Sequence, residues 1–522
     1  MHIRLFIRWE LAALLGAGTL IAGAGSAAPS PAARSRVLLV RPVILCDDDG
    51  SHPARSVFPR TLVDRVYTRA DLEFLYLAPV HWPYGKGRRG EVNLDTVMAR
   101  GRANGMIAAD PRVVTLLFVS AVDGHAQPLG RGLQNGNVCF VSLGGPGEMT
   151  DPAMRAFVVA HEIGHCLGLQ HAVDDPKVPD DVPNLQGDGP FAERLAVEGL
   201  HPSQVATILK SPLVLPRLHF HSAAEAARLI THDKWNTPLK GLNEATIRFA
   251  LDLDPATPLP ESPKERLAFV RRRYAALTAE FTPEERAFLR ERVARLRRLV
   301  GDRWPLLTRT PWHFIKMQPT FCHAMPHTRG LAIVLTAPRL RRLACDEHEA
   351  LETLLHEKLH VLQRLMPQHF APVGRRYGFR PVRLPADTPA RLHLIRNPDA
   401  PDRSWGIPRG NELFLLAVSA GSGPGRPLQE NLYPLQPVPG EDGVYRPGPP
   451  VSDEAWLAQW RARFPIPTGY DDPREVMAYA LGKIFRVDVL GEPEGKLTPE
   501  QRAFLERERR ELPPLLGLVK GE

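Results

Sequence analysis

Hydrophobic and polar positions in this chain fall into strand-length runs and helical stripes. Residues 37–46 and 113–119 are short apolar runs of strand length, 137–142 forms a third, and a helical segment is expected near 59–69. Helical spacing takes over at Asp151-Pro152, a cap followed by a first-turn proline, and Met154, Phe157 and Val158 then run as one stripe into His161 and His165. A loop rich in Asp, Pro and Gly fills 174–190, with helices expected at 191–199 and from His201 to about Ser211. The Pro-rich residues 211–216 mark a domain boundary.

Past that boundary the pattern reads as helical from Leu218 to about Arg303, with a strong helix start at Thr282-Pro283-Glu284-Glu285 that recurs in kind at Thr498-Pro499-Glu500-Gln501. A strand-like run at 331–335 precedes a helix carrying Leu351, Leu354, Leu355, Leu359 and Leu362, which ends before Pro367. Residues 421–450 are rich in Pro and Gly, and a further helix starts at Asp472-Pro473. Strands and helices in this order imply an α+β fold. With 522 residues, 43% of them hydrophobic, the chain has material for two or three cores.

Composition changes this picture at three points. Arg4 and Arg8 precede an apolar run to about Ala24 and small residues through Ala28, the layout of a secretory signal peptide over 1–28. That run is short for a membrane span, and no later stretch approaches eighteen apolar residues, so an exported protein without a stable membrane span is expected. Five cysteines cannot all pair within one chain; Cys322 and Cys345 are the expected partners, and Cys166 is expected to be buried or disulfide-bonded. The formal charge of +8 is spread among glutamates in helical stretches without an aromatic-basic motif, which argues against a nucleic-acid partner.

The candidate chemistry lies in two motifs. His161-Glu162-Ile163-Gly164-His165 places two imidazoles one helical turn apart with a carboxylate beside them. Gly168 can end that helix in a left-handed conformation and return His171 to the same ion as a third ligand, leaving a fourth position open. The full pattern, H-E-x-x-H-x-x-G-x-x-H, resembles the metzincin zinc peptidases. The resemblance implies zinc held by His161, His165 and His171, Glu162 as general base, and an edge strand at 137–142 that pairs with an extended peptide. It also implies a methionine turn under the metal; the corresponding stretch is Pro183-Asn184-Leu185-Gln186-Gly187, with Gln186 where methionine is expected.

His356-Glu357-Lys358-Leu359-His360 is a second H-E-x-x-H, on the leucine-striped helix, and Glu475 lies in the first turn of the helix begun by Asp472. This arrangement resembles the gluzincins, which implies His356, His360 and Glu475 as zinc ligands and Glu357 as base, and, because the two helices are far apart for that class, that residues 370–467 loop out between them. Asp471, Asp472 and His369 are rival third ligands. Together the motifs imply two zincin-like domains, 36–215 and a mostly helical 216–522, each a small mixed sheet with an active-site helix. The implied function is an exported zinc metalloendopeptidase with one or two Zn2+ per chain, acting on a peptide or protein substrate. A zinc-binding but catalytically impaired surface module, or a one-site peptidase with a structural second domain, are the alternatives.

Overall fold

The computed structural model describes residues 34–517, apart from 85–92, 121–129, 145–150, 179–183, 188–194, 196–198, 233–238, 240–241, 255, 396, 400–404, 421–427 and 467–468. The signal-peptide stretch 1–28 and nearly all of the helix expected at 191–199 lie outside the described residues. Residues Ser35–Glu522 form one compact unit with an α+β fold.

Its first sheet is built on the long strand β1 (Arg36–Cys46). One side of β1 pairs in parallel with β2 (Leu72–Tyr76) and then β3 (Val80–Pro83), and β4 (Val113–Phe118) is also parallel to it. Beyond β4 come β6 (Val138–Val141), parallel, and β5 (Gly130–Gly132), antiparallel, at the edge. Every side chain of β4 is buried because both faces of this sheet are covered. Val114, Leu116 and Phe118 pack on the side of the helices α1 (Arg60–Val66) and α3 (Pro152–Cys166), whereas Val113 and Leu117 pack on the other; α2 (Leu94–Ala103) belongs to that second face through Leu94 and Val97.

The chain leaves the first sheet at β7 (Leu215–Pro216), antiparallel to β1, and enters the second at β8 (Leu218–Phe220), parallel to β10 (Trp312–Met317). The sequence pattern placed Leu218 in a helix; three residues are too few for a period to show, and pairing with β10 makes them a strand. Strand β9 (Thr278–Ala279) flanks β10, β12 (Ala332–Thr336) is parallel to β10, and β11 (His327–Arg329) closes the edge as a hairpin partner of β12.

Residues 370–467 correct the expectation of a loop. Their described residues include an antiparallel meander of β13 (Arg380–Pro381), β14 (Trp405–Arg409), β15 (Glu412–Ala420), β16 (Leu428–Pro437) and β17 (Tyr445–Pro447), with its own buried face of Leu413, Leu415, Tyr433 and Leu435. The five cysteines are all free, which overturns the Cys322–Cys345 pairing: Cys322 is buried beside Tyr274 and Phe321, while Cys345 is exposed at the end of the helix Ala337–Cys345. Cys166 is buried, as expected.

One continuous apolar core joins the two halves. Val37, Leu39, Leu75 and Leu77 of the first sheet pack with Trp304, Trp312 and Phe314 and with the leucines of the helix Glu347–Leu365. Arg217 and Arg309 both pair with Glu73, and the buried Arg41 donates to the Leu365 carbonyl across the junction. No described helix is long and apolar enough to cross a membrane.

Candidate metal centres

Helix α3 starts where Asp151 accepts from the Ala153 N–H and Pro152 occupies the first turn. Its inner face is held by Phe157, Val159, Ala160 and Ile163, and buried Tyr67 donates to the Ala160 carbonyl at 2.7 Å. The helix ends at Cys166, and Gly168 at φ +97° turns the chain so that His171 returns to the helix face. His161 Nε2 then lies 3.2 Å from His165 Nε2 and 3.3 Å from His171 Nε2. Two nitrogens bound at about 2.05 Å to one tetrahedral ion are about 3.3 Å apart.

The protons on these rings can be assigned. His161 Nδ1 faces the Leu185 carbonyl at 3.1 Å and His165 Nδ1 faces the Leu169 carbonyl at 2.8 Å; carbonyls only accept, so each Nδ1 carries a hydrogen. In the neutral rings, both Nε2 atoms therefore present lone pairs to each other, an arrangement that repels by itself and suits a shared cation. Burial lowers the His165 pKa and so favours that neutral form.

Glu162 is buried beside the triad. Burial pushes its carboxyl up to about 7, against a hydrogen bond from the Gly132 N–H. A Cβ at Gly130 would stand 2.5 Å from Glu162 Cγ, and one at Gly132 would stand 2.7 Å from His165 Cβ, so the two glycines are what let β5 lie directly on α3. The cleft at the site, of about 740 Å³, is lined by β5, Phe157, Glu162 and the three histidines. Sequence reading missed Gly130 and Gly132, and it put the edge strand at 137–142; those residues form the interior strand β6, and β5 holds the edge.

Beneath the triad lies the turn of Asn184, Leu185, Gln186 and Gly187, at the place expected of a methionine turn. Asn184 Oδ1 accepts from the Gln186 N–H, and Gln186 Nε2 donates to the His161 carbonyl at 3.0 Å. Gln186 Oε1 is buried with no hydrogen-bond partner.

The second centre is built where the helix Glu347–Leu365 packs on the helix Pro473–Asp488. His356 Nε2 and His360 Nε2 are 3.0 Å apart, and Glu475 Oε2 is 3.5 Å from each. Gln363 Nε2 donates to the Arg474 carbonyl, which turns Gln363 Oε1 toward His360 Nδ1 at 2.8 Å and assigns the His360 proton to Nδ1. Asn397 Nδ2 donates to Glu475 Oε1 at 2.7 Å, fixing the carboxylate. Glu357 is buried, and burial followed by the neighbouring Asp399 holds its pKa well above the ordinary carboxylate value. The Tyr479 ring lies 4.7 Å from the His356 ring at the mouth of a cleft of about 920 Å³.

Of the rival ligands, His369 faces the Leu515 carbonyl and Asp472 caps its own helix and binds Arg474. Asp471 lines the cleft. Strand β12 is internal here, and the hairpin strand β11 takes the sheet edge instead. Sequence reading missed Asn397 and Asp399, which come from the stretch taken for a loop. His161, His165 and His171 form one group able to hold a metal ion, and His356, His360 and Glu475 form another. A scan against protein-family models and a search of curated proteins both find no match for the chain.

Proposed function

We propose that the chain is an exported zinc-dependent endopeptidase with two catalytic centres, one in each of two zincin-like halves, 36–215 and 216–522. The reading rests above all on the convergence of three imidazole Nε2 atoms at 3.2–3.3 Å beside a buried carboxylate in an open cleft. His161, His165 and His171 are the ligands of the first centre; His356, His360 and Glu475 are those of the second. Three protein ligands in each set, rather than four, suit a catalytic more than a structural ion. When bound, zinc supplies a Lewis acid that polarises a scissile carbonyl and lowers the pKa of water toward neutrality.

The chain's own groups supply the rest. Glu162 takes the proton of the attacking water on a carboxylate oxygen and passes it to the leaving amine, and Glu357 does the same in the second cleft. The outer edge of β5, unpaired among the described residues, offers its backbone to an extended peptide, and its two glycines keep that backbone against Glu162. In the second cleft the Tyr479 hydroxyl is a donor available to a developing oxyanion. The pattern at 1–28 supports export.

A second reading keeps zinc but not turnover, making the chain a binding module; the polar Gln186 under the triad favours it. Glu162→Ala and Glu357→Ala, singly and together, separate the readings in a peptide-library digest. Each single variant should lose one set of cleavages by several orders of magnitude while retaining its zinc. Cleavage that survives in the double variant refutes the peptidase reading, and an intact wild type with full zinc and no cleavage supports the binding module.

A further inference from the structure

A third group of donors lies outside both clefts, where the chain crosses from the first sheet to the second. His219 on β8 is paired in register with His313 on β10, and His221, two residues on, continues the same face of the sheet. Phe220 and Phe314 take the opposite face, stacked at 5.5 Å in the shared core. The three imidazoles are therefore neighbours: ring centroids are 4.4 Å apart for His219 and His221, 5.3 Å for His221 and His313, and 5.6 Å for His219 and His313. The first catalytic triad spans 4.8–5.3 Å by the same measure.

Glu225, in the first turn of the helix Ala223–Ile230, brings Oε2 to 3.3 Å from His219 Nε2 and 3.9 Å from His221 Nδ1. Among the described residues neither ring nitrogen of His221 has a hydrogen-bond partner, although the residue is only 6% exposed. His313, 2% exposed, donates Nε2–H to the Pro216 carbonyl at 3.1 Å and leaves Nδ1 as a buried lone pair without a partner. Buried polar groups are almost always satisfied, and a cation beside Glu225 would satisfy the His221 Nδ1 that faces this carboxylate. The nearby cation Arg112 is held by Asp110 in two hydrogen bonds, so its charge is compensated.

We propose that His219, His221 and Glu225 form a third metal site, walled by the buried His313 ring, that takes a borderline divalent ion such as Zn2+ and fastens the crossover between the two sheets. Imidazole-rich donors with one carboxylate select such an ion over Mg2+ or Ca2+. The site lies outside both clefts, beside the crossover between the two sheets, and is independent of whether the clefts are catalytic.

Zinc content of the full chain tests it in a background of His165→Ala and His360→Ala, which disables both clefts. One equivalent should remain there, His221→Ala should remove it, and the metal-loaded chain should lose thermal stability on that change. Glu225→Gln is the milder variant, because glutamine preserves the capping box in which Glu225 takes the Ser222 N–H. It should weaken Zn2+ binding at this site by roughly tenfold or more in competition with a chromophoric chelator, with little effect on the melting of the metal-free chain. No zinc in the doubly disabled background, or zinc affinity unchanged by Glu225→Gln, overturns the proposal.

Discussion

Glu475→Gln changes charge with almost no change in shape, so it isolates ligation at the second centre. Glu475 Oε1 accepts from Asn397 Nδ2, and Oε2 faces both imidazoles at 3.5 Å. A glutamine has two choices. It can keep its oxygen toward Asn397 and aim its NH2 at His356 and His360, occupying the lone pairs that a cation needs. Alternatively, it can reverse, setting NH2 against NH2 and leaving buried donors unsatisfied at about 1–3 kcal/mol. Either way an anionic ligand is lost, and changes even to outer partners of metal ligands cost about 10–100-fold in affinity, or about 1.4–2.7 kcal/mol. Zinc affinity of this centre should fall by roughly thirtyfold or more. If Glu475 served only the positive end of its helix, the change would cost about 0.3–1 kcal/mol of stability and leave zinc affinity alone. The assay is zinc competition with a chromophoric chelator on the full chain carrying His165→Ala, with and without Glu475→Gln. Superimposable curves would remove Glu475 from the ligand set and leave Asp471, which lines the same cleft.

Three further outcomes follow from particular contacts. Gly130→Ala puts a methyl 2.5 Å from Glu162 Cγ and displaces the carboxylate; peptide cleavage by the first centre should drop roughly tenfold to a hundredfold with its zinc retained, and unchanged kcat would refute the role given to β5. Gln186→Met removes the hydrogen bond to the His161 carbonyl, worth about 1 kcal/mol, but also an unsatisfied buried oxygen. Stability should stay within about 1 kcal/mol of wild type with zinc unchanged, and loss of a zinc equivalent would show the amide to be essential. His327 is pushed down to about 4 by burial, then by Arg329 and Arg364, with Asp399 opposing. Between pH 6.5 and 4 the unfolded chain binds a proton that the folded chain refuses, so this group's contribution is complete above pH 6.5 and lost as pH falls toward 4, by at most about 3 kcal/mol. Urea midpoints measured across that window should flatten in His327→Gln, and an unaltered slope would refute the assignment.

What the sequence disclosed followed local periodicity. The stripe into His161 and His165, the cap at Asp151, the left-handed Gly168 and the helix start at Asp472 are each encoded within a few residues, and each has its expected local conformation. What it concealed depends on pairing across the chain. Gly130-Arg131-Gly132 has no apolar period, and only its neighbour β6 and the close approach of α3 make it an edge strand. The sheet of β13–β17 was masked by its prolines, among them Pro408, Pro434 and Pro437, which lie within or at the end of strands and read as breakers when taken alone. His219 and His221 have the two-residue spacing of one strand face, yet their meaning required His313, brought alongside by parallel pairing over 90 residues away.

The same packing bears on how the two clefts relate. Helix α3 belongs to the core on one face of the first sheet, and the helix Glu347–Leu365 belongs to the core on the other, with β1 and β4 contributing alternate residues to each. The two sheets and their helices meet through rigid apolar packing and fixed contacts such as Arg41 to the Leu365 carbonyl and the Ala78 N–H to Met366 Sδ, and none of these involves a ligand or a base of either centre. These contacts join the halves through the shared core and not through the metal-facing groups. Glu162→Ala should accordingly leave kcat/KM for the cleavages that depend on Glu357 unchanged within about 0.3–0.5 kcal/mol, and Glu357→Ala should do the same for those that depend on Glu162.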